Sequence, residues 1–89
     1  MVGAAVLEER HMISTMLFLA GSDGCTKTEL YRAVSTNPRM PEKLDILEGA
    51  GLIRQQREES SRTTRVELTD LGKRVSAALA EIDSLMSGQ

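Results

Sequence analysis

Residues 47–55, LEGAGLIRQ, narrow the choice of fold more than any other stretch of this chain. An apolar pattern at helical spacing runs into Gly49-Ala50-Gly51, and two apolar residues then open a polar stretch. Glycine just past a last helical turn takes the left-handed conformation that caps a C-terminus, and an apolar residue after it packs back on that turn. Gly51 and Leu52 fit those two places. The chain is expected to reverse there and leave as a strand.

Both sides of the reversal can be read in the same way. Upstream, Val6, Ile13, Met16, Leu17 and Ala20 fall at helical spacing and predict a first helix over about residues 5–20. GSDG (21–24) ends it. T-K-T-E (26–29) is a capping box, with the Thr26 hydroxyl accepting from the Glu29 N–H and the Glu29 carboxylate reaching back. A short helix follows, expected to bury Leu30, Ala33 and Val34. Asn37-Pro38 restarts a helix over 38–50, with Asn37 as cap and Met40, Leu44 and Leu47 on the buried stripe. Pro41 early in that helix would forfeit one hydrogen bond if Asn37 is the cap, unless the regular helix starts only at Pro41.

Downstream, residues 52–58 are expected as a strand and 59–62 as a loop. Residues 63–68 (TTRVEL) read as the return strand, with Thr64, Val66 and Leu68 on one face. Thr69 then caps a last helix, 70–87, about 25 Å long. At about 100° per residue, Leu71, Val75, Ala78, Leu79, Ile82, Leu85 and Met86 fall within roughly a 120° arc. A core this small can cover about half of such a stripe, so Val75, Ala78, Leu79, Ile82, Leu85 and Met86 are expected at a dimer interface.

Composition removes several classes of function. Eighty-nine residues make one small domain, 1–89. A single cysteine, Cys25, excludes an internal disulfide and fits a reducing cytoplasm. It is expected as a small buried hydrophobe, and the lone His11 as an ordinary helix-face residue. MVGAAVLEER lacks the basic start of a signal peptide, and no stretch has the length of a membrane span. No catalytic constellation, metal-ligand cluster or phosphate-cradling loop is present, so neither an enzyme nor a cofactor is expected. The net charge of −2 hides a split. Residues 26–74 hold ten Lys and Arg against eight Asp and Glu, whereas the ends together hold one against five. A polyanion would have to dock in the middle of the chain.

Helix, short helix, tight turn, helix, hairpin, helix is the order of a winged helix–turn–helix domain. L-E-G-A-G-L-I resembles the end of the recognition helix in ArsR- and MarR-like prokaryotic transcription regulators. L-T-D-L-G-K-R-V resembles their entry from the wing into the closing helix. The resemblance covers about residues 10–80. It implies a mostly helical α+β fold with a three-helix core, a two- or three-stranded wing and a long C-terminal helix. It also implies sequence-specific binding of double-stranded DNA by a homodimer, with helix 38–50 in the major groove and wing 54–65 on the backbone. The Cys-x-Cys of the metal-sensing relatives has no counterpart here.

Carried onto this sequence, the DNA-contacting residues are Lys27, Thr28 and Arg32 on the short helix, Arg39, Glu42 and Lys43 on the recognition helix, and Arg57, Arg62 and Arg65 on the wing. Arginines there can neutralise phosphates, and Glu42 can accept from a cytosine amino group. The plainer readings are a solvated hairpin whose arginines face Glu58 and Glu59, and a short helix with an ordinary exposed face. The outward face of the recognition helix also carries Asp45. A second function therefore stays open: a winged helix that binds protein in a transcription or replication complex.

Overall fold

The chain reverses after its third α-helix as the glycines predict. In the computed structural model, which describes residues 3–88, a 3-10 helix (Gly3–Glu8) leads into α1 (Met12–Gly21), β1 (Cys25–Thr26) and α2 (Lys27–Ala33). Then come α3 (Met40–Gly49), β2 (Ile53–Glu58), β3 (Thr63–Leu68) and α4 (Asp70–Met86). Residues 1, 2 and 89 of the expected domain lie outside the described residues.

Gly51 has φ +82°, the left-handed conformation expected of it. The Leu52 N–H donates to the Leu47 carbonyl at 3.0 Å and the Gly51 N–H to the Glu48 carbonyl at 3.0 Å. These two bonds satisfy carbonyls that a helix end would otherwise leave unpaired. Leu52 is buried, and Ile53 begins β2 directly.

The sheet is antiparallel in the order β1-β3-β2. The return strand spans the six residues expected of it. The third strand, β1, is two residues long and pairs Cys25 with Val66 and Thr26 with Arg65. Thr26 then serves as the N-cap of α2, and the capping box is complete: its N–H donates to Glu29 Oε1 at 2.8 Å, and its hydroxyl accepts from the Glu29 N–H at 3.2 Å. Leu30 is fully buried and Val34 packs on the core, whereas Ala33 is exposed, contrary to the expected stripe.

The first helix departs further from expectation. It breaks at residues 9–11, where His11 takes a left-handed φ of 71°, and α1 starts only at Met12. Its inward face is Met12, Thr15, Met16 and Leu19, while Ile13 and Ala20 are exposed. The Thr15 hydroxyl donates to the His11 carbonyl at 2.6 Å, so even the polar member of this face is satisfied. Restarting the helix at Met12 moves the stripe, because apolar residues surround α1 and support more than one phase.

Asn37 does not cap α3. Its side-chain oxygen accepts from the Arg39 N–H at 2.8 Å, and its carbonyl from the Met40 N–H at 3.0 Å, which forms a turn before the helix. With Arg39 as N-cap, Pro41 falls in the first turn, where its missing N–H costs nothing. Met40, Leu44 and Leu47 are buried as expected.

Thr69 caps α4 and accepts from the Gly72 N–H at 2.9 Å, while its own hydroxyl donates to the Gly51 carbonyl at 2.5 Å. The line of α4 facing the core is Gly72 and Ser76. Val75 and Leu79 lie half-buried at its edges, and Leu71, expected to lead the stripe inward, is half-exposed. Small inward residues let α4 approach α1 and the start of β2, and they turn its larger side chains outward. Ala78, Ile82, Leu85 and Met86 are exposed. Leu85 and Met86 retain 69% and 83% of their accessible surface, so the uncovered apolar face gains Leu71 at one end and loses Val75 and Leu79 in part to the core.

Candidate nucleic-acid interface

The pairing register sorts the hairpin into two faces. Ile53, Gln55 and Arg57 stand opposite Leu68, Val66 and Thr64, and side chains alternate across a strand. This face starts in the core and continues outward to Arg57. Arg54, Gln56 and Glu58 share the other face with Glu67, Arg65 and Thr63.

Gln55 joins the first face to α3. Its Nε2 donates to Asp45 Oδ1 and to Glu48 Oε1, each at 3.0 Å, and its backbone N–H donates to Glu48 Oε2 at 3.1 Å. Two carboxylates of α3 are thereby held against β2. The wing face that carries Arg57 is the one that looks towards α3.

The candidate basic residues divide by what already holds them. Arg57 and Arg62 are exposed and take part in no ion pair among the described residues, and Arg62 has φ 55° in the hairpin loop. Arg32 is likewise exposed in the last turn of α2, Thr28 is exposed, and Lys27 is half-buried at the start of that helix. Arg65 is already engaged. Its Nε lies 2.9 Å from Glu58 Oε1, and an Nη donates to the Gly24 carbonyl at 2.8 Å, which ties β3 to the segment before β1. The arginine-facing-glutamate reading of the hairpin describes Arg65, and Arg54 stands opposite Glu67.

On α3, Arg39 and Glu42 are both exposed and lie 3.7 Å apart, a weak surface pair. Lys43 is not on the outward flank. It is 9% exposed, and its ammonium lies 3.2 Å from Glu9 Oε1. The four-carbon stem runs along the inner side of the helix, beside the Met40 and Leu47 positions, and only the head reaches out. Glu42, Asp45 and Glu48 leave the rest of the exposed surface acidic, with Ile46 and Gly49 between them.

Several residues that organise this site carry little or no signal in the sequence. Gln55 is one of two adjacent glutamines, and nothing marks it as the link to α3. Glu9 is 34 positions from Lys43. Asp23 accepts from the Leu68 N–H at 2.7 Å and holds the turn before β1 to the end of β3. Gly72 did carry a signal, since a glycine in the first turn of a helix has no capping role there. Cys25 is buried, and burial followed by the nearby Glu29 carboxylate pushes its thiol above the usual range. Burial, then Asp45, also raises the Tyr31 phenol. Among the described residues no group of three or more His, Cys, Asp or Glu could hold a metal ion, and no helix is long and apolar enough to cross a membrane.

No family model and no curated protein matches the sequence. Solved structures do match. A transcriptional regulator homologue from Pyrococcus horikoshii OT3 superposes with a TM-score of 0.78 at 19% identity, over 96% of this chain and 88% of its own. The fold is a winged helix–turn–helix. The winged helix of the Staphylococcus aureus regulator MepR, solved with DNA, is similar at a TM-score of 0.74 and 24% identity, over 93% of this chain and 73% of its own. The transcriptional repressor CouR, bound to a 23-mer duplex, gives a TM-score of 0.74 at 25% identity over 92% of this chain. The present winged helix spans 62% of the length of CouR. In this fold α2 and α3 form the helix–turn–helix and β2–β3 the wing, as the resemblance implied.

Proposed function

We propose that this winged helix binds duplex DNA sequence-specifically as a small homodimeric transcription regulator. In this reading α3 enters the major groove and the hairpin lies on the phosphate backbone. The observation that carries it is the placement of Arg57, on the wing face that looks towards α3, and of Arg62 in the hairpin loop, both exposed and in no ion pair among the described residues. MepR and CouR, which share the fold, were solved on DNA, and that supports the same use here. Arg39 can present its guanidinium to a guanine, and Glu42 can accept from a cytosine amino group. Arg32 and the start of α2, with Lys27 and Thr28, serve the flanking backbone. Lys43 and Arg65 are absent from this set because they are held elsewhere. The exposed face of α4 supplies the contact between two copies. Selection of bound duplexes from a random pool tests the reading, and enrichment of a two-fold-repeated sequence is the expected result.

One observation favours a second reading. The exposed surface of α3 carries Glu42, Asp45 and Glu48 around Ile46, and carboxylates aimed at a duplex repel its phosphates. A winged helix that docks a basic protein segment on α3 would use that face. Failure of the protein to retain any duplex at low salt would favour this account.

A further inference from the structure

We propose that Glu9 is a built-in competitor for one cation of the recognition helix, Lys43, and that it holds this residue out of the DNA interface. The proposal rests on the DNA-binding reading and concerns the regulation of that same site. Lys43 has an unusual position for a residue on a reading helix. Its side chain is 11% exposed, and among the described residues the ammonium bonds only Glu9 Oε1, at 3.2 Å. The stem is buried, and the ammonium at its end is held by the more than half-exposed Glu9 carboxylate. Without that carboxylate the head is free to turn to water.

The route outward is already open. Glu9, Arg39, Glu42, Lys43 and Ile46 line a polar cavity of about 140 Å³. Arg39, Glu42 and Ile46 belong to the outward face of α3, so a Lys43 released from Glu9 rotates onto the surface that would face a duplex. An ammonium has three donors, so the competition is one of reach: Glu9 holds the Lys43 head at the inner flank of α3, away from the surface where a phosphate would lie.

The placement of Glu9 also makes it movable. It lies between the 3-10 helix and α1, two residues before the left-handed His11, and it is more than half exposed. The 3-10 helix forms one wall of an open apolar cleft of about 300 Å³, with Leu52, Leu71 and Val75 lining the other side, so there is room for it to shift. A shift of that helix carries Glu9 with it and frees or recaptures Lys43.

The test uses the full chain and the duplex selected as above, titrated by fluorescence anisotropy at two salt concentrations. Glu9→Gln is expected to bind roughly three- to tenfold more tightly at low salt, with a salt dependence steeper by roughly one counterion. Glu9→Asp, which withdraws the carboxylate by one methylene, is expected to give part of that gain. In the double variant Glu9→Gln, Lys43→Met the gain and the added slope both disappear. A purely structural ion pair predicts the reverse, with lower stability, unchanged or weaker binding and the wild-type slope. Wild-type binding matched by both Glu9 variants in affinity and slope overturns this proposal alone. Absence of binding by wild type and variants alike overturns the DNA reading and this proposal with it.

Discussion

Gly72 lies so close to Leu52 that a Cβ added to it would stand 1.9 Å from the Leu52 carbonyl oxygen. The Leu52 carbonyl also accepts from the Thr69 N–H at 3.1 Å, so it is fixed where it obstructs. On an unobstructed helix, replacing glycine by alanine stabilises by roughly 0.5–1 kcal/mol. Here the sign is expected to invert, because α4 would have to lift off the start of β2. Gly72→Ala should cost about 3 kcal/mol. Gly51 is constrained differently: an added Cβ would meet nothing closer than Leu71 Cδ2 at 4.0 Å, but the backbone is left-handed. Gly51→Ala should cost about 1–2 kcal/mol, and Gly51→Asn less. Thermal melts of the three variants rank them, and a Gly72→Ala midpoint at or above wild type would refute the close approach.

The exposed face of α4 predicts association. Burying Ile82, Leu85 and Met86 of two copies against one another contributes several kcal/mol at about 25 cal/mol per Å², before the cost of association. Light scattering during gel filtration should give a dimer at micromolar concentration, and Ile82→Asp a monomer. The melting midpoint of the wild type should also rise with concentration, while that of Ile82→Asp should not. A wild-type monomer with a concentration-independent midpoint would count against this role for α4.

Three arginines should fail in three ways. Arg62→Ala removes an unpaired charge from the hairpin loop, so binding should weaken on every sequence alike and its salt dependence should become shallower by about one counterion. Arg39→Ala should cost about 1–3 kcal/mol on the selected site and relax base preference at one position. Arg65→Ala loses the half-exposed pair with Glu58 and the bond to the Gly24 carbonyl. Its effect should be on stability, at about 1 kcal/mol or less, with the salt slope of binding retained. Anisotropy at two salt concentrations, together with a melt, separates these outcomes.

Acid should loosen the start of α2. The Thr26 N–H first, and then the Thr26 hydroxyl, hold the exposed Glu29 carboxyl below the usual carboxylate range. A carboxyl whose folded pKa is depressed contributes stability above its unfolded pKa, and that contribution is lost as pH falls through the folded value. The wild-type midpoint should therefore fall on acidification from neutral to below the carboxylate range. Glu29→Gln should start lower at neutral pH and fall less across that window. Parallel acid limbs for the two proteins would remove Glu29 as a cause.

What could be read from the sequence follows the range of each signal. The box at Thr26–Glu29, the cap at Thr69 and the stop at Gly51 are local, since the bond that makes each cap spans at most five positions, and all three are realised. β3 was legible from its β-branched alternation. β1 was not, because two residues carry no period and owe their strand character to Val66 and Arg65 forty residues away. The break at residues 9–11 was missed because Glu9-Arg10-His11 contains no Gly or Pro. Nothing beside Lys43 in the sequence marks it as drawn inward, since a charge next to a polar face is normally solvated, and the carboxylate that holds it comes from before α1. Gln55 was passed over for the complementary reason, since its two acceptors are fixed by the reversal at Gly51 and by nothing in its neighbours. The candidate interface was thus legible as a set of elements. Which of its charges are free was decided by contacts between them.

The reversal at Gly51 has a mechanical consequence. Leu52 is bonded to the last turn of α3, and Gln55 grips Asp45 and Glu48 of the same helix, so α3 and β2 are pinned at both ends of a span of only a few residues. Helix and hairpin then move as one lever, without a joint at which the angle of its grip could be adjusted. In the DNA-binding reading, the angle between reading helix and wing is therefore set before any duplex arrives, as in a gauge whose jaws are machined from one piece.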